Sequence, residues 1–317
     1  MRWLLARRFR GMLAALSLLL AVSVLVLAIP WNASLLELLR HFQLWRAAIA
    51  AALMVLALVF GMRRWALLNF IIMLWQGWPI LPSGGGEEGR RGKPLRIVTC
   101  NLLYEARQPA AMVASLAATD ADVIVLQEFT PDWERHCAAA LWSRYPFRIM
   151  RAEEGPFGIC LLSRHPLDSA SIDHDWQGYA CARAVVVREG LRLAILGVHP
   201  PPPLGDALHR DWTLAFEAWR TMLAQLDSPH RVVAGDFNAT PFCRTMQGFL
   251  QWGDFRGSWE RHGVRSTWFH RGLPFLPMGL PLDHVLHSRS LTLVNRTIGP
   301  DCGSDHRWLS TDLAERL

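Results

Sequence analysis

The sequence has six cysteines but no C-x-x-C pair among them. Zinc-binding modules and thioredoxin-like redox enzymes depend on such pairs, so neither class fits this chain. No internal repeat is present either, which argues against a repeat architecture. Disulfides and buried free thiols both remain open for the cysteines, which are Cys100, Cys137, Cys160, Cys181, Cys243 and Cys302.

Charge is missing from three stretches of the first 82 residues, at 11–36, 47–62 and 65–82. These stretches predict membrane-spanning helices at about 11–31, 44–62 and 65–82. Six tryptophans near their ends are typical of an interfacial aromatic belt. The alternative is a cleaved signal peptide followed by a soluble helical hairpin, but three successive apolar runs exceed the single short core of a signal peptide.

Arginine placement predicts the orientation of these spans. The first span is preceded by four arginines, Arg2, Arg7, Arg8 and Arg10. Two more arginines, at 63–64, lie between the second and third spans. Basic residues concentrate on the cytoplasmic side of membrane proteins. Three spans that begin inside would therefore place the rest of the chain outside the cytoplasm.

The remainder of the chain lacks the overall basic excess of a duplex-binding surface. Residues 1–95 carry 11 Lys/Arg and 3 acids, whereas residues 96–317 carry 22 Lys/Arg and 24 acids. Residues 83–94 are predicted to be a Gly-rich linker. In residues 95–317, strand patterns alternate with helix patterns and hairpins, which predicts an α/β sandwich.

Polar residues recur where the apolar strand patterns of this second part begin or end. Loop residues held by a rigid scaffold often carry the chemistry of a protein. A single Asn or Asp at a strand end is more often a turn former, so the argument depends on their joint occurrence. The set comprises Asn101, Glu128, His199, Asp236, Asn238, Asp283, Asp305 and His306.

This set meets the needs of phosphoester hydrolysis. Glu128 and Asp305 offer the hard oxygen ligands that Mg²⁺ prefers, with Asn101 as a neutral oxygen beside them. Asp236 can align the attacking water while Asn238 fixes a phosphate oxygen. In addition, His199 can bind or protonate another phosphate oxygen, and Asp283 can orient His306 for acid–base work.

The ordered motifs "TCN", "LQE", "GVH", "GDFN", "LDHVL" and "GSDH" resemble those of the endonuclease/exonuclease/phosphatase superfamily across residues 95–314. The resemblance implies a four-layer α/β sandwich, two mixed sheets flanked by helices, and a metal-dependent phosphoesterase. It also implies that Asn101, Glu128 and Asp305 hold Mg²⁺, with Mn²⁺ as the second choice. The implied catalytic residues are Asp236, Asn238, His199, Asp283 and His306.

Two further features concern the substrate. Arg183 is a weaker candidate for a phosphate contact, because a surface role is the commoner one for an arginine. The DNA-penetrating loops of abasic-site enzymes are not recognisable, so nuclease activity is less favoured than hydrolysis of another phosphoester. An apolar segment before Asp283 is expected either to border the site or to be buried, and it contains Leu273, Phe275, Leu276, Met278 and Leu280.

The leading hypothesis is a hydrolase of the bacterial cytoplasmic membrane whose catalytic domain faces the periplasm or exterior. Its partners would be the lipid bilayer and a lipid-linked phosphate, pyrophosphate or phosphodiester. An extracytoplasmic nuclease acting on nucleic acid is the second hypothesis. A non-catalytic membrane module is the third, but a degenerate copy of the fold should have lost site residues, and this chain retains them.

Overall fold

The chain divides into two compact units, Met1–Leu81 and Pro82–Leu317. The computed structural model describes residues 2–31, 33–82, 89–105, 107–270 and 279–317. Most of the apolar segment predicted to border the site, residues 271–278, therefore lies outside the described residues, as does most of the predicted linker. The first strand begins at Arg90, inside the range predicted as linker.

The N-terminal unit consists of helices α1 (Arg2–Ala28), α2 (Ser34–Arg40), α3 (Gln43–Val59) and α4 (Arg63–Gly77), followed by a 3₁₀ turn at Trp78–Ile80. Within it, Arg40 forms a buried ion pair with Glu37 at 2.6 Å and donates to the carbonyl of Ile29. These contacts tie α2 to the end of α1, and the short α2 was not expected from the sequence.

The prediction of three membrane spans is wrong for this arrangement of helices. Among the described residues, one helix is long and apolar enough to cross a membrane, over Leu5–Ala28. The helices α2 and α3 pass the same test only as a pair, and they are bent by 62° at the break between them. With 15 residues, α4 is only about 22 Å long, which is less than the hydrocarbon thickness of a bilayer.

The described residues of the C-terminal unit form two six-stranded mixed sheets and four helices. The helices are α5 (Pro109–Ala118), α6 (Pro131–Ala140), α7 (Asp206–Ala224) and α8 (Arg244–Gly253). The strands are β1 (Arg90–Asn101), β2 (Val123–Gln127), β3 (Phe147–Arg151), β4 (Ile159–Ser163), β5 (Leu167–His174), β6 (Ala180–Arg188), β7 (Leu191–Val198), β8 (His230–Asp236), β9 (Phe255–Gly257), β10 (Trp268–Phe269), β11 (Gly279–Leu280), β12 (Asp283–Ser288), β13 (Leu291–Ile298) and β14 (Leu309–Arg316).

The sheets have the orders β13-β14-β1-β2-β4-β3 and β5-β6-β7-β8-β12-β9, and β10 pairs with β11 in a small separate ribbon. In each large sheet one pair is parallel, β1 with β2 and β7 with β8. The other pairs are antiparallel. The chain therefore folds as the predicted α/β sandwich of two mixed sheets flanked by helices.

Apolar side chains fill the space between the sheets and the space outside each sheet. The core between the sheets is aliphatic and includes Ile97, Val125, Ile195 and Val232. On the outer face of the first sheet, α5 and α6 pack through a second cluster that includes Leu116 and Trp133.

An aromatic cluster lies on the outer face of the second sheet. Phe216 and Trp219 of α7 pack against Phe249 of α8 and against Phe237, which follows β8. All six cysteines are buried free thiols, which decides the question that the sequence left open.

Candidate active site

The topology brings the predicted site residues to one edge of the sandwich. Asn101 ends β1 beside Gln127, the last residue of the parallel strand β2, so Glu128 follows at the same edge. In the second sheet, β8 ends at Asp236 and pairs with the start of the antiparallel strand β12 at Asp283. The strands β1, β2 and β8 end at this cluster, and β12 begins there. Motifs that are far apart in the sequence therefore meet in the fold.

Asp236 lies at the centre of this cluster and is 1% exposed. Its Oδ2 atom lies 3.1 Å from Nδ2 of Asn101, 3.5 Å from Nε2 of His306 and 3.6 Å from Nε2 of His199. The Oδ1 atom accepts a hydrogen bond from the backbone N–H of Asn238 at 2.8 Å. One carboxylate therefore contacts four of the predicted residues.

The amide of Asn101 connects Asp236 to Glu128. Its Nδ2 also donates to Oε1 of Glu128 at 2.9 Å, and its Oδ1 accepts from the N–H of Leu103. The other carboxylate oxygen of Glu128 accepts from the N–H of Tyr104 at 2.8 Å. Glu128 has a φ of 57°, a left-handed backbone that L-residues seldom adopt and that is often found at functional sites.

His306 lies between two buried carboxylates. Its Nδ1 is 2.8 Å from Oδ2 of Asp283, and its Nε2 faces Asp236. Ser304 anchors the loop, because its hydroxyl accepts from the N–H of His306 and donates to the carbonyl of Asn101. The Asp283–His306 pair expected from the sequence is present.

The two histidines and the two acids shift one another's pKa values. Burial lowers the pKa of His306, but the charges of Asp283 and Asp236 outweigh burial and raise it to about 10. For Asp236, burial raises the pKa, yet the nearby imidazoles of His306 and His199 bring it below its ordinary value. Burial dominates at Asp283 and raises its pKa. The cluster thus stabilises a proton on His306 and a negative charge on Asp236.

Four carboxylates of the site have no Lys or Arg partner among the described residues. Within the described part of the chain, no Lys or Arg forms an ion pair with Glu128, Asp236, Asp283 or Asp305. Asp236, Asp283 and His306 offer ligand atoms that all lie within 4.8 Å of one another. Sites rich in carboxylate oxygens suit a hard divalent cation. The donor set therefore fits such an ion.

The ligand set predicted from the sequence differs from this close group. Glu128 and Asn101 contact each other, as described above. Asp305 is held separately, since its Oδ2 accepts from Nε1 of Trp268 at 3.0 Å. Glu128, Asn101 and Asp305 as the metal ligands therefore stay a prediction.

Arg183 pairs with residues outside the predicted set, and its phosphate contact stays a prediction. Its guanidinium pairs with Asp173 at 2.7 Å and donates to Oε1 of Gln225 just after α7. It lies within β6 opposite Leu196 of β7, three residues before His199. The sequence could not show which face of β6 the side chain occupies.

Asn238 lies just beyond the end of strand β8, in a left-handed backbone conformation. The strand β8 ends at Asp236, and Asn238 has a φ of 47°. Its Nδ2 donates to the carbonyl of Pro200, the residue after His199. Phe237, between Asp236 and Asn238, is fully buried.

Three polar side chains near the cluster were missed by sequence reasoning. Ser304 stands within the "GSDH" motif, so a signal for it was available. Thr267 and Trp268 stand in a segment with no motif, and only their position in the fold reveals their contacts with the loops of Asp283 and Asp305.

The sequence of the C-terminal unit matches a known protein family over most of its length. The sequence profile described as "Endonuclease/Exonuclease/phosphatase family" matches residues 98–306, a range that includes every residue of the cluster. No curated protein sequence matches the chain.

Solved structures show a similar fold at low sequence identity. Truncated Caenorhabditis elegans TDP2 is 16% identical, with a TM-score of 0.58 over 71% of this chain and 100% of the other. The 3′ phosphatase NExo from Neisseria, bound to a product DNA hairpin, is 20% identical, with a TM-score of 0.56 over 68% of this chain and 98% of the other. An endonuclease/exonuclease/phosphatase from Beutenbergia cavernae is 18% identical, with a TM-score of 0.58 over 71% and 72%. At these identities the likeness establishes the fold alone.

Proposed function

Because the chain belongs to the endonuclease/exonuclease/phosphatase family, whose members hydrolyse phosphoester bonds, we propose that it is a membrane-anchored, Mg²⁺-dependent phosphoesterase acting on a lipid-linked phosphate. The observation that carries the proposal is the buried cluster around Asp236, in which carboxylates converge without a Lys or Arg partner among the described residues. Mn²⁺ has the same preference for oxygen ligands and is the expected substitute.

The metal would be held by Glu128, Asn101 and Asp305. A bound divalent cation supplies positive charge that stabilises the phosphoryl oxygens as they become more negative. Glu128 is preset for this role by the N–H of Tyr104 and by Asn101, which fix one hydrogen bond to each of its oxygens. The carboxylate thus needs little reorganisation when the metal binds.

Asp236 orients the attacking water and accepts its proton. Its low pKa keeps it ionised at neutral pH, and its Oδ1 is fixed by the N–H of Asn238. Nε2 of His306 lies 3.5 Å away. The protonated imidazole can donate its proton to the leaving oxygen, and the proton that Asp236 took from the water then restores it. Asp283 holds Nδ1 of His306 and so fixes which nitrogen faces the reaction.

Asn238 and His199 bind the non-bridging oxygens of the phosphate. The carbonyl of Pro200 takes one hydrogen of the Asn238 amide and leaves the other for the substrate. His199 is buried, and its Nδ1 has no hydrogen-bond partner among the described residues. Its Nε2 faces Asp236, which supports the protonated form.

The membrane part of the proposal is supported by α1. Its apolar side chains are widely exposed, among them Leu18, Leu19 and Leu25. Four arginines precede its apolar part, which favours a cytoplasmic N-terminus. With α1 as a single span, the C-terminal unit would face the periplasm. If the bent pair of α2 and α3 is a second span, the unit would return to the cytoplasm, so a reporter fused after Pro82 tests the orientation.

The substrate is tested with the full chain in detergent and Mg²⁺, offered polyprenyl pyrophosphate, phospholipids and plasmid DNA in parallel. Release of phosphate or of a headgroup from a lipid, lost in Asp236→Asn, would support the proposal. DNA cleavage without any lipid product would instead assign the chain as a nuclease. A wild-type protein that releases no more product than Asp236→Asn on all substrates would favour a binding module.

A further inference from the structure

The strand β10 contacts the loop that carries Asp305 and His306. The indole Nε1 of Trp268 donates to Oδ2 of Asp305 at 3.0 Å. The backbone of Trp268 forms an antiparallel bridge with His306, and the N–H of Phe269 donates to the carbonyl of Asp305 at 2.9 Å. The side chain and the backbone of β10 therefore hold the same loop.

The preceding residue, Thr267, contacts the other acidic strand. Its hydroxyl accepts hydrogen bonds from the N–H groups of Leu282 and Asp283, at 3.2 and 3.0 Å, and the residue is fully buried. The carbonyl of Thr267 also accepts from the N–H of Arg307. Residues 267–268 thus connect the start of β12 with the loop before β14, which supply Asp283 and Asp305 to the site.

The hydrogen bond from Trp268 matters because Asp305 has little else to orient it. Within the described ranges, Asp305 forms no ion pair with Lys or Arg, and it is only partly buried. A carboxylate in that situation can rotate about its side-chain torsions. The indole N–H holds Oδ2 of Asp305 in place, and this hydrogen bond limits the rotation. Oδ1 is the oxygen that the indole does not contact. Partners that orient metal ligands commonly raise metal affinity 10- to 100-fold.

We propose that Trp268 is a positioning residue that orients the Asp305 carboxylate for the divalent metal. This inference rests on the proposed function, because it takes Asp305 as a metal ligand. Its role is to set the direction of one ligand oxygen, and it contributes no group to the chemical step. Replacement by phenylalanine removes the N–H and keeps an aromatic ring at the site.

The test measures the binding of Mn²⁺ to the full chain in detergent. The electron paramagnetic resonance signal of the unbound ion reports how much Mn²⁺ remains free. We expect Trp268→Phe to bind Mn²⁺ about 10- to 100-fold more weakly than wild type. Trp308→Phe is the matched control, because the indole of Trp308 donates to Oγ of Ser115 and to no carboxylate. It should bind Mn²⁺ like wild type. Thermal unfolding of each variant checks that it is folded.

A double-mutant cycle separates positioning from packing. In an Asp305→Asn background, adding Trp268→Phe should cause no further loss of Mn²⁺ affinity, since the carboxylate that the indole orients is already gone. Hydrolysis by Trp268→Phe should recover toward the wild-type rate at saturating metal. Equal Mn²⁺ affinity in wild type and a folded Trp268→Phe would overturn the inference. A wild type that binds no Mn²⁺ would overturn the proposed function itself, which is a separate outcome.

Discussion

Nδ1 of His306 lies 2.8 Å from Oδ2 of Asp283, and both side chains are buried at the edge where the two sheets meet the active-site loops. The pair joins a residue that begins β12 to a residue in the loop before β14. Its geometry fixes the imidazole so that Nε2 faces Asp236. The acid–base chemistry that we propose depends on this arrangement.

Asp283→Asn should lower turnover by about 10²- to 10⁴-fold, because the imidazole loses the charge that orients it and stabilises its proton. In the metal-free wild type, the pKa of about 10 means that His306 stays protonated below that pH and loses its proton as the pH rises through it. The substitution should move that titration to lower pH. Nitrogen NMR of the imidazole measures it, and an unchanged titration would count against the pairing.

Phe237→Ala should destabilise the C-terminal unit by about 3 kcal/mol, because it leaves a cavity among buried aromatic rings. The ring packs 5.5 Å from Trp219 and 5.5 Å from His284, centroid to centroid. Urea unfolding followed by tryptophan fluorescence measures the free energy. Phe237→Leu should cost less, and an equal cost for the two substitutions would show that the cavity is not the cause.

Gly158→Ala should reduce both stability and metal affinity, because an added Cβ would lie 1.9 Å from the carbonyl oxygen of Phe129. The N–H of Phe129 bonds to the carbonyl of Gly158, so a shift there would displace the adjacent Glu128. Gly248→Ala in α8 is the control, since its Cβ would meet nothing within 4 Å. It should stabilise the helix slightly, by up to about 1 kcal/mol. Metal titration and urea unfolding distinguish the two variants.

Arg183→Gln should leave turnover and KM within about twofold of wild type, because the structure pairs this guanidinium with Asp173 and Gln225. His199→Gln, at the same end of the second sheet, should instead raise KM and lower kcat. Steady-state kinetics on one substrate compares them. A large loss of kcat in a folded Arg183→Gln would return that arginine to the phosphate.

Much of the site could be predicted from sequence because its residues follow strands whose ends must meet at one edge. Asn101, Glu128 and Asp236 are examples, since the buried runs of β1, β2 and β8 each end at a polar residue. The role of Arg183 could not be derived from the sequence, because the face of a strand depends on register with its neighbours. Trp268 was missed because its two-residue strand has no periodic pattern.

The structure of the N-terminal unit could also be predicted only in part from its sequence. Apolar runs of similar length predicted three spans, but a helix break between Arg40 and Gln43 and an early end of α4 at Gly77 leave helices of unequal length. Hydropathy reports the composition of a segment and does not show where its helix bends. The buried pair of Glu37 and Arg40, which accompanies the break, has no apolar pattern to predict it.

The most direct measurement of the central claim is phosphoester hydrolysis by metal-depleted full chain, before and after Mg²⁺ is restored, in wild type and Asp236→Asn. We predict no hydrolysis without metal, recovery in the wild type, and a rate orders of magnitude lower in a folded Asp236→Asn. Hydrolysis that persists without metal, or that is equal in the two proteins, would contradict a metal-dependent site centred on Asp236.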